Sequence, residues 1–183
     1  DNEAGIAQAV SRLAALGHRR IAFVGGAPQS CNATERLHGF VSAMRDCGLA
    51  VEPALLAQGD WTYDGSLKAV QTMLSSLARE AWPGALVAAS DMMALGAMEA
   101  ANRLGLKVPG ELSVVGFDNI DLCRFCAPQL TSVGPRAEQM AHVAVEHMLA
   151  MLQRGGMAAW DRYTVRIPVE WMERASIAPP AQP

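Results

Sequence analysis

The stretch GALVAASDMMALGAMEAANRLGLKVPGELSVVGF, residues 84–117, decides the fold. Two mainly apolar runs, residues 84–90 and 111–117, enclose a segment whose apolar side chains recur every three or four residues. Mainly apolar runs are typical of parallel strands that are buried on both faces. The intervening spacing predicts an amphipathic helix with Asp91 as its N-cap and Gly105 as its end. The stretch therefore predicts a strand–helix–strand unit with a right-handed crossover.

The same alternation extends to both sides of this unit. Further strands are predicted at residues 20–26, 54–59 and 130–133. Further helices are predicted at residues 2–16, with Asn2 as N-cap, at about 37–48 and at about 64–77. The repeated order of strand and helix indicates an α/β fold, a three-layer α/β/α sandwich around a parallel sheet.

The end of the chain has a different pattern. Pro135 opens the longest predicted helix, which ends near Gly155. Its apolar face is rich in methionine and comprises Met140, Val143, Ala144, Met148, Met151 and Leu152. The run YTVRIPVEW, residues 163–171, predicts an edge strand that Pro168 interrupts.

Composition limits the class of protein. Hydrophobic residues make up 51% of the 183 and charged residues 18%, so the chain can bury a core. The formal net charge of −3 provides no positive field for nucleic acid. No apolar run approaches the roughly 20 residues of a membrane helix. We expect no membrane partner and no direct DNA contact, and the helical character of the first residues suggests a part of a longer protein.

Cysteine usage and the lack of catalytic motifs argue against metal, redox and enzymatic roles. Cys123 and Cys126 form a lone C-x-x-C pair without further zinc ligands at suitable spacing. We expect the four cysteines to be unpaired thiols in a reducing cytosol. The sequence has no nucleophile elbow, P-loop, zincin motif or dinucleotide-binding glycine pattern. We therefore expect no metal, no cofactor and no enzymatic activity.

Polar side chains follow each predicted strand at its carboxyl end, the edge where open α/β sheets bind ligands. Arg36 follows the first strand, Trp61 the second, Ser90 the third and Asp118 the fourth. A carboxylate accepts, and a guanidinium donates, paired hydrogen bonds to neighbouring hydroxyls, while an indole stacks on a sugar ring or a base. This set is typical of a site for a polyhydroxyl ligand.

Each of these residues also has a purely structural alternative. Asp118 could cap the next turn, Arg36 could form a surface ion pair, and Trp61 could pack at a hinge. Asp91 is interpreted as a helix N-cap rather than a ligand contact, and His18 as a structural residue of a turn.

Five segments carry a family resemblance, and they are LGHRRIAFVGG at 16–26, ERLHGF at 35–40, the run from Ser90 to Ile120, PQLTSV at 128–133 and RIPVEWMERASIAPP at 166–180. In this order they resemble the effector-binding domain of the lactose-repressor (LacI/GalR) family of bacterial transcription regulators. The resemblance implies a periplasmic-binding-protein-like type I fold of two α/β lobes with a ligand cleft between them. It also implies a helix-turn-helix headpiece that is not part of this chain.

The resemblance divides the chain into four parts. They are the C-terminal lobe with its leading helix 2–16 at residues 1–133, a crossover helix normally packed on the other lobe at 134–156, a closing strand segment at 157–175 and a flexible tail at 176–183.

The resemblance assigns ligand contacts to six residues, which are Arg36, Asp118, Trp61, Ser90, Asn32 and Ser30. Arg36 and Asp118 stand where the family has the arginine and the aspartate that hold the effector, and Trp61 where several members have a stacking aromatic. Ser90 replaces the asparagine of many members. Ala4 replaces an acid that sugar-binding members often carry, which leaves the ligand class open.

The resemblance also implies a homodimer. Its predicted interface comprises Met92, Met93, Leu95, Met98, Leu122, Phe125 and Cys126. Ordinary core packing of these side chains is the alternative.

The sequence thus predicts a non-enzymatic, cytoplasmic effector-sensing and dimerisation domain of a repressor-type transcription regulator. A small sugar-like molecule in an interlobe cleft would alter operator affinity through the headpiece. One alternative is the periplasmic sugar-binding protein of a transporter, and a second is a nucleotide-dependent enzyme on a doubly wound sheet. The identity of the effector, the operator sequence and the sign of regulation stay open.

Overall fold

The computed structural model describes residues 1–153 and 164–180, which form one sheet covered by helices. The helices are α1 (Asn2–Ala15), α2 (Cys31–Asp46), α3 (Tyr63–Ser75), α4 (Asp91–Arg103) and α5 (Ala137–Gln153). The strands are β1 (Ile21–Gly25), β2 (Leu56–Gln58), β3 (Ala85–Ala88), β4 (Ser113–Phe117), β5 (Thr131–Gly134) and β6 (Glu170–Met172).

The sheet has the strand order β2-β1-β3-β4-β5-β6. Strands β1 to β5 pair in parallel, and β6 pairs antiparallel to β5 at the edge. Strands β1, β3, β4 and β5 are buried along their whole length, since helices cover both faces. Helix α1 packs with α2, and α3 with α4. The expected α/β/α architecture is confirmed, with an antiparallel edge strand added to the parallel sheet.

Apolar side chains from both faces of the sheet form the core. The largest that are fully buried are Phe23, Phe40, Ile6, Leu13, Ile21, Met44, Leu55, Leu74, Leu86, Met93, Leu112 and Leu130. The rings of Phe23 and Phe40 stack with their centroids 4.9 Å apart and join β1 to α2. Burial of each such side chain stabilises the fold by about 1.5–3 kcal/mol. Leu37 on α2 is 40% exposed and lies outside the core.

Two predicted N-caps are each wrong by one residue. Asp1, not Asn2, caps α1, because its carboxylate accepts from the N–H of Ala4 at 3.2 Å. Ser90, not Asp91, caps α4 through the N–H of Met93 at 3.3 Å. A cap must reach the N–H group three residues ahead, and the neighbouring polar residue is then the first residue of the helix, free for other contacts.

The C-terminal segment is more ordered than predicted. Ser176, expected to begin a flexible tail, is fully buried. Its hydroxyl donates to the carbonyl of Val114 at 2.6 Å and accepts from the N–H of Thr131 at 2.8 Å, so it joins β4 to β5. His18 holds the next residues through a 2.8 Å contact between its Nε2 and the carbonyl of Ala178. The predictions for residues 154–163 and 181–183 lie outside the described residues.

Helix α5 differs from the other four, because none of its residues is buried. Its large exposed apolar side chains are Met140, Val145, Met148, Leu149, Met151 and Leu152. Within the described residues, no helix combines the length and the apolar character needed to cross a bilayer. The assignment of α5 as a crossover helix that packs on another lobe stays a prediction.

Candidate functional site

The carboxyl ends of the parallel strands form the edge at which the sequence predicted a ligand. Arg36 on α2, Asp118 after β4 and Trp61 after β2 come together there. A nitrogen of the Arg36 guanidinium lies 3.2 Å from Oδ1 of Asp118, and the guanidinium carbon lies 5.5 Å from the centroid of the Trp61 ring. Parallel strands place these residues at one edge although they are far apart in sequence.

Arg36 lies on the buried face of its helix and is only 7% exposed. Its guanidinium rests 3.8 Å above the centroid of the Phe117 ring. Its Nε donates to Oδ1 of Asn2 at 2.8 Å, and a second nitrogen donates to the carbonyl of Ala89. Arg36 thus donates from three nitrogens, to Asn2, Ala89 and Asp118, and these bonds hold the guanidinium in one orientation. The alternative of a surface ion pair for Arg36 is therefore wrong.

Asp118 stands at the open side of this cluster. Its side chain is 42% exposed, and its backbone φ of 109° lies in the left-handed region. A Cβ on Gly134 would come within 2.5 Å of the Asp118 backbone, so the turn needs glycine at that position of β5. The pKa of Asp118 is raised to about 6, because burial and the nearby Asp91 together raise it more than Arg36 lowers it. The carboxylate is therefore held beside a cation and also open to a ligand.

Trp61 covers the end of β1. A Cβ on Gly26 would come within 2.2 Å of the indole, which shows that the ring lies directly against the glycine backbone. The φ of 73° at Trp61 is unusual for a bulky residue, and Asp60 supports the turn by accepting the N–H of Thr62 at 3.0 Å and its hydroxyl at 2.6 Å. Strained backbone of this kind clusters at ligand clamps.

The three remaining predicted contacts lie around this cluster in less direct roles. Ser30 caps α2, and its hydroxyl accepts from the N–H of Ala33 at 3.4 Å. Ser90 is 6% exposed, and its hydroxyl caps α4. Asn32 is exposed and accepts from the amide of Asn2 at 3.2 Å. Ligand contact by these three residues stays a prediction.

Asn2 is a supporting residue that the sequence analysis missed, because it was assigned as a cap. Its Oδ1 accepts from Arg36, and its Nδ2 donates to Oε2 of Glu35 at 2.7 Å. Its three partners on α2, Asn32, Glu35 and Arg36, occupy positions i, i+3 and i+4 and therefore share one helix face. That spacing was the signal that a polar residue from another element would meet this face.

A groove of about 560 Å³ lies beside α4. The predicted interface residues that line it are Met92, Leu95, Met98, Leu122 and Cys126. Phe125, the most exposed large apolar side chain among the described residues, is 80% exposed. The prediction that Met93 lies at the interface is wrong, because its side chain is fully buried in the core and offers no surface to a partner. Met98 lines the groove but is only 9% exposed.

The cysteines and potential metal ligands fit no clustered site in the described part of the chain. All four cysteines are free, as expected. Burial raises the pKa of the Cys123 thiol, so this thiol stays protonated at neutral pH. Over residues 1–153 and 164–180, no three His, Cys, Asp or Glu side chains are placed to hold a metal ion.

Comparison with known proteins places the chain in a family. The sequence model of the periplasmic binding protein-like domain matches residues 10–177, and the chain belongs to that family. The HTH-type transcriptional repressor CytR of Escherichia coli (strain K12) is 43% identical to it over 155 residues, which cover 84% of this chain and 43% of that protein. The LacI/GalR resemblance is thereby confirmed.

Solved structures agree with this assignment. A sugar-binding transcriptional regulator of the LacI family from Escherichia coli, complexed with phosphate, matches with a TM-score of 0.85 and 32% identity over 98% of this chain and 62% of that chain. A dimeric Lac repressor matches with a TM-score of 0.87 and 28% identity over 98% of this chain and 63% of that chain. The chain spans less than half of CytR and about three fifths of these solved chains.

Proposed function

We propose that this chain is the effector-sensing part of a cytoplasmic LacI-type transcription regulator, and that it binds a small polyhydroxyl ligand without chemical conversion. The observation that carries the proposal is the Arg36–Asp118 pair at the carboxyl edge of the sheet, beside Trp61. The matched relatives support it, because they are regulators and one of them is a sugar-binding regulator. They do not favour the periplasmic transporter protein.

The chemistry of the pair suits neighbouring hydroxyl groups. Asp118 has carboxylate lone pairs that Arg36 leaves unused and can accept two hydroxyl hydrogens, while the guanidinium can donate to a hydroxyl oxygen or to a base edge. Trp61 adds an apolar ring face for a sugar or a nucleobase. Each charge-assisted bond contributes about 1.5–3 kcal/mol to binding. We therefore propose a sugar or a sugar derivative, nucleosides included, as the ligand.

The same proposal assigns the groove beside α4 to a second copy of the chain. Exposed Met92 and Leu122 line the groove, and Phe125, three residues after Leu122, is 80% exposed. Operator DNA is assigned to a helix-turn-helix headpiece, since the net charge of −3 in this chain gives no field for DNA. Ligand binding would change operator affinity by a coupling free energy of about 1–3 kcal/mol.

Titration calorimetry of the full-length protein against monosaccharides, disaccharides and nucleosides tests the proposal. We expect one ligand class to bind, and binding to be lost in Asp118→Asn and in Arg36→Lys. Arg45→Lys and Asp46→Asn are matched controls, because both residues are exposed on the same helix as Arg36. Retained affinity in both site variants, or no binding by any member of the panel, would contradict the proposal.

A further inference from the structure

The side chain of Asp91 is fully buried, although it is an acid. It is the first residue of α4, where the positive end of the helix favours a carboxylate. Its two oxygens accept hydrogen bonds from two different segments, β5 and the turn after β4. The hydroxyl of Ser132 donates to Oδ1 at 2.6 Å, and the N–H of Ile120 donates to Oδ2 at 2.8 Å.

These two bonds hold a turn that does not form easily by itself. Asp118 and Asn119 have φ values of 109° and 54°, in the region that L residues rarely adopt. The N–H of Asn119 donates to the Ser132 hydroxyl at 3.1 Å, and Arg174 donates to Oδ1 of Asn119 at 2.7 Å. Asp91 therefore anchors the end of the turn directly and its middle through Ser132.

Two glycines show how closely the carboxylate and the turn are packed. A Cβ on Gly116 in β4 would come within 2.1 Å of Oδ1 of Asp91. A Cβ on Gly134 in β5 would come within 2.5 Å of the backbone of Asp118. The sequence leaves out a side chain at both strand positions, and the space is filled by the buried carboxylate and by the turn.

The turn connects two surfaces with different proposed roles. It begins at Asp118, which contacts Arg36 in the ligand site. It continues into a short 3₁₀ helix, Asp121–Arg124, which places Leu122 on the groove. Met92, the residue after Asp91, lines the same groove. One carboxylate thus fixes the segment that joins the ligand site to the groove.

We propose that Asp91 is a positioning residue, which fixes the turn of residues 118–120 so that the direction of Asp118 and the placement of Leu122 are set together. The role at the Asp118 end rests on the proposed function of that residue as a ligand contact. The link between the turn and the groove rests on the hydrogen bonds alone. The titratable or charged groups that interact with Asp91 are Arg36, Asp118, Cys123 and Arg174.

Amide hydrogen exchange and carboxyl titration by NMR, both without ligand, test this role. In Asp91→Ala we expect exchange at Ile120 and Cys123, whose N–H groups donate to Asp91 and to the carbonyl of Ile120, to accelerate at least tenfold. Exchange at Phe40, on α2, should change less than twofold. In Asp91→Asn, which removes the charge and replaces one of the two acceptor oxygens by a donor, we expect the pKa of Asp118 to fall below its value of about 6, because the charge of Asp91 contributes to raising it. Asp64→Asn, an exposed acid in the first turn of α3, is the control.

A merely structural role would change exchange at Phe40 and at Ile120 by the same factor and would overturn the proposal. An unchanged pKa of Asp118 in Asp91→Asn would also overturn it. If Asp91→Ala does not fold, the variant Ser132→Ala tests the same role. We then expect at least tenfold faster exchange at Asn119, whose N–H donates to the Ser132 hydroxyl, and unchanged exchange there would contradict the role. Neither measurement uses a ligand. If no compound of the calorimetric panel binds, the proposed function is contradicted, but the exchange and titration results for Asp91 are not affected.

Discussion

Replacement of Arg36 by methionine tests the balance of forces in the site. Methionine can keep the packing on Phe117 but loses every donor. The carbonyl of Ala89, in a fully buried residue, is then left without this partner, which costs about 1–3 kcal/mol. Loss of the pair with Asp118, which is 42% exposed, costs about 0–1 kcal/mol. Loss of the third bond, to Asn2, is offset because the variant no longer buries a cation. We therefore expect the free energy of unfolding at pH 8 to fall by about 1–4 kcal/mol.

The part of this loss that comes from Asp118 depends on pH. The folded pKa of about 6 lies above the ordinary value of 3.8, so the ionised carboxylate destabilises the fold as pH rises through this window. Arg36 offsets that effect only when Asp118 is ionised. The loss in Arg36→Met should therefore be smaller at pH 5 than at pH 8, by up to about 1 kcal/mol.

Urea unfolding followed by circular dichroism at both pH values measures these differences. Arg45→Met, at an exposed position of α2, is the matched control and should stay within about 0.5 kcal/mol of the unmodified chain. An Arg36→Met chain that is as stable as the unmodified chain at pH 8 would refute the reasoning. So would a loss that is larger at pH 5.

Three further predictions concern the frame around the site. Burial lowers the pKa of His18, so its contribution to stability is present above about pH 6.5 and is lost as pH falls below that value. Urea unfolding midpoints should fall as the pH falls in the unmodified chain and change less with pH in His18→Gln. Removal of the α4 cap in Ser90→Ala should lower the free energy of unfolding by about 1 kcal/mol, and a change below about 0.3 kcal/mol would argue against the cap. The double variant Leu122→Asp, Phe125→Asp should weaken self-association at least tenfold in sedimentation equilibrium. An unchanged dimer would show that the groove is not the dimer interface.

The sheet could be predicted because parallel strands are recorded in the sequence as apolar runs. Runs such as 84–90 and 111–117 correspond to β3 and β4, and the polar residues after the runs mark the carboxyl edge. Arg36 and Asp118 were found in this way and by resemblance to a family. Their mutual contact was not predictable from periodicity, since it joins residues 82 positions apart.

The wrong interface assignment of Met93 arose because its residue type was considered without its angular position on the helix. Met92 and Met93 were grouped as one apolar surface, although adjacent residues on a helix point about 100° apart. Met93 shares the buried face with Ala97 and Ala100, whereas Met92 lines the groove with Leu95. The 3.6-residue period contained this distinction.

The sequence could not show which side chains Asp91 and Asn2 contact, although the polar spacing on α2 indicated that some polar partner would meet that face. Each is a polar residue at the start of a helix, where capping is the common role. Their partners come from other elements, which are Ile120 and Ser132 for Asp91, and Arg36 for Asn2. Only the packing of the layers brings these partners within reach.

The most direct test of the central claim is a crystal structure of the full-length protein with the ligand that calorimetry identifies. We expect hydroxyl groups of the ligand to lie within hydrogen-bond distance of both Asp118 and Arg36, with its ring or base against Trp61. A ligand bound elsewhere, for example in the groove lined by Met92 and Leu122, would contradict it.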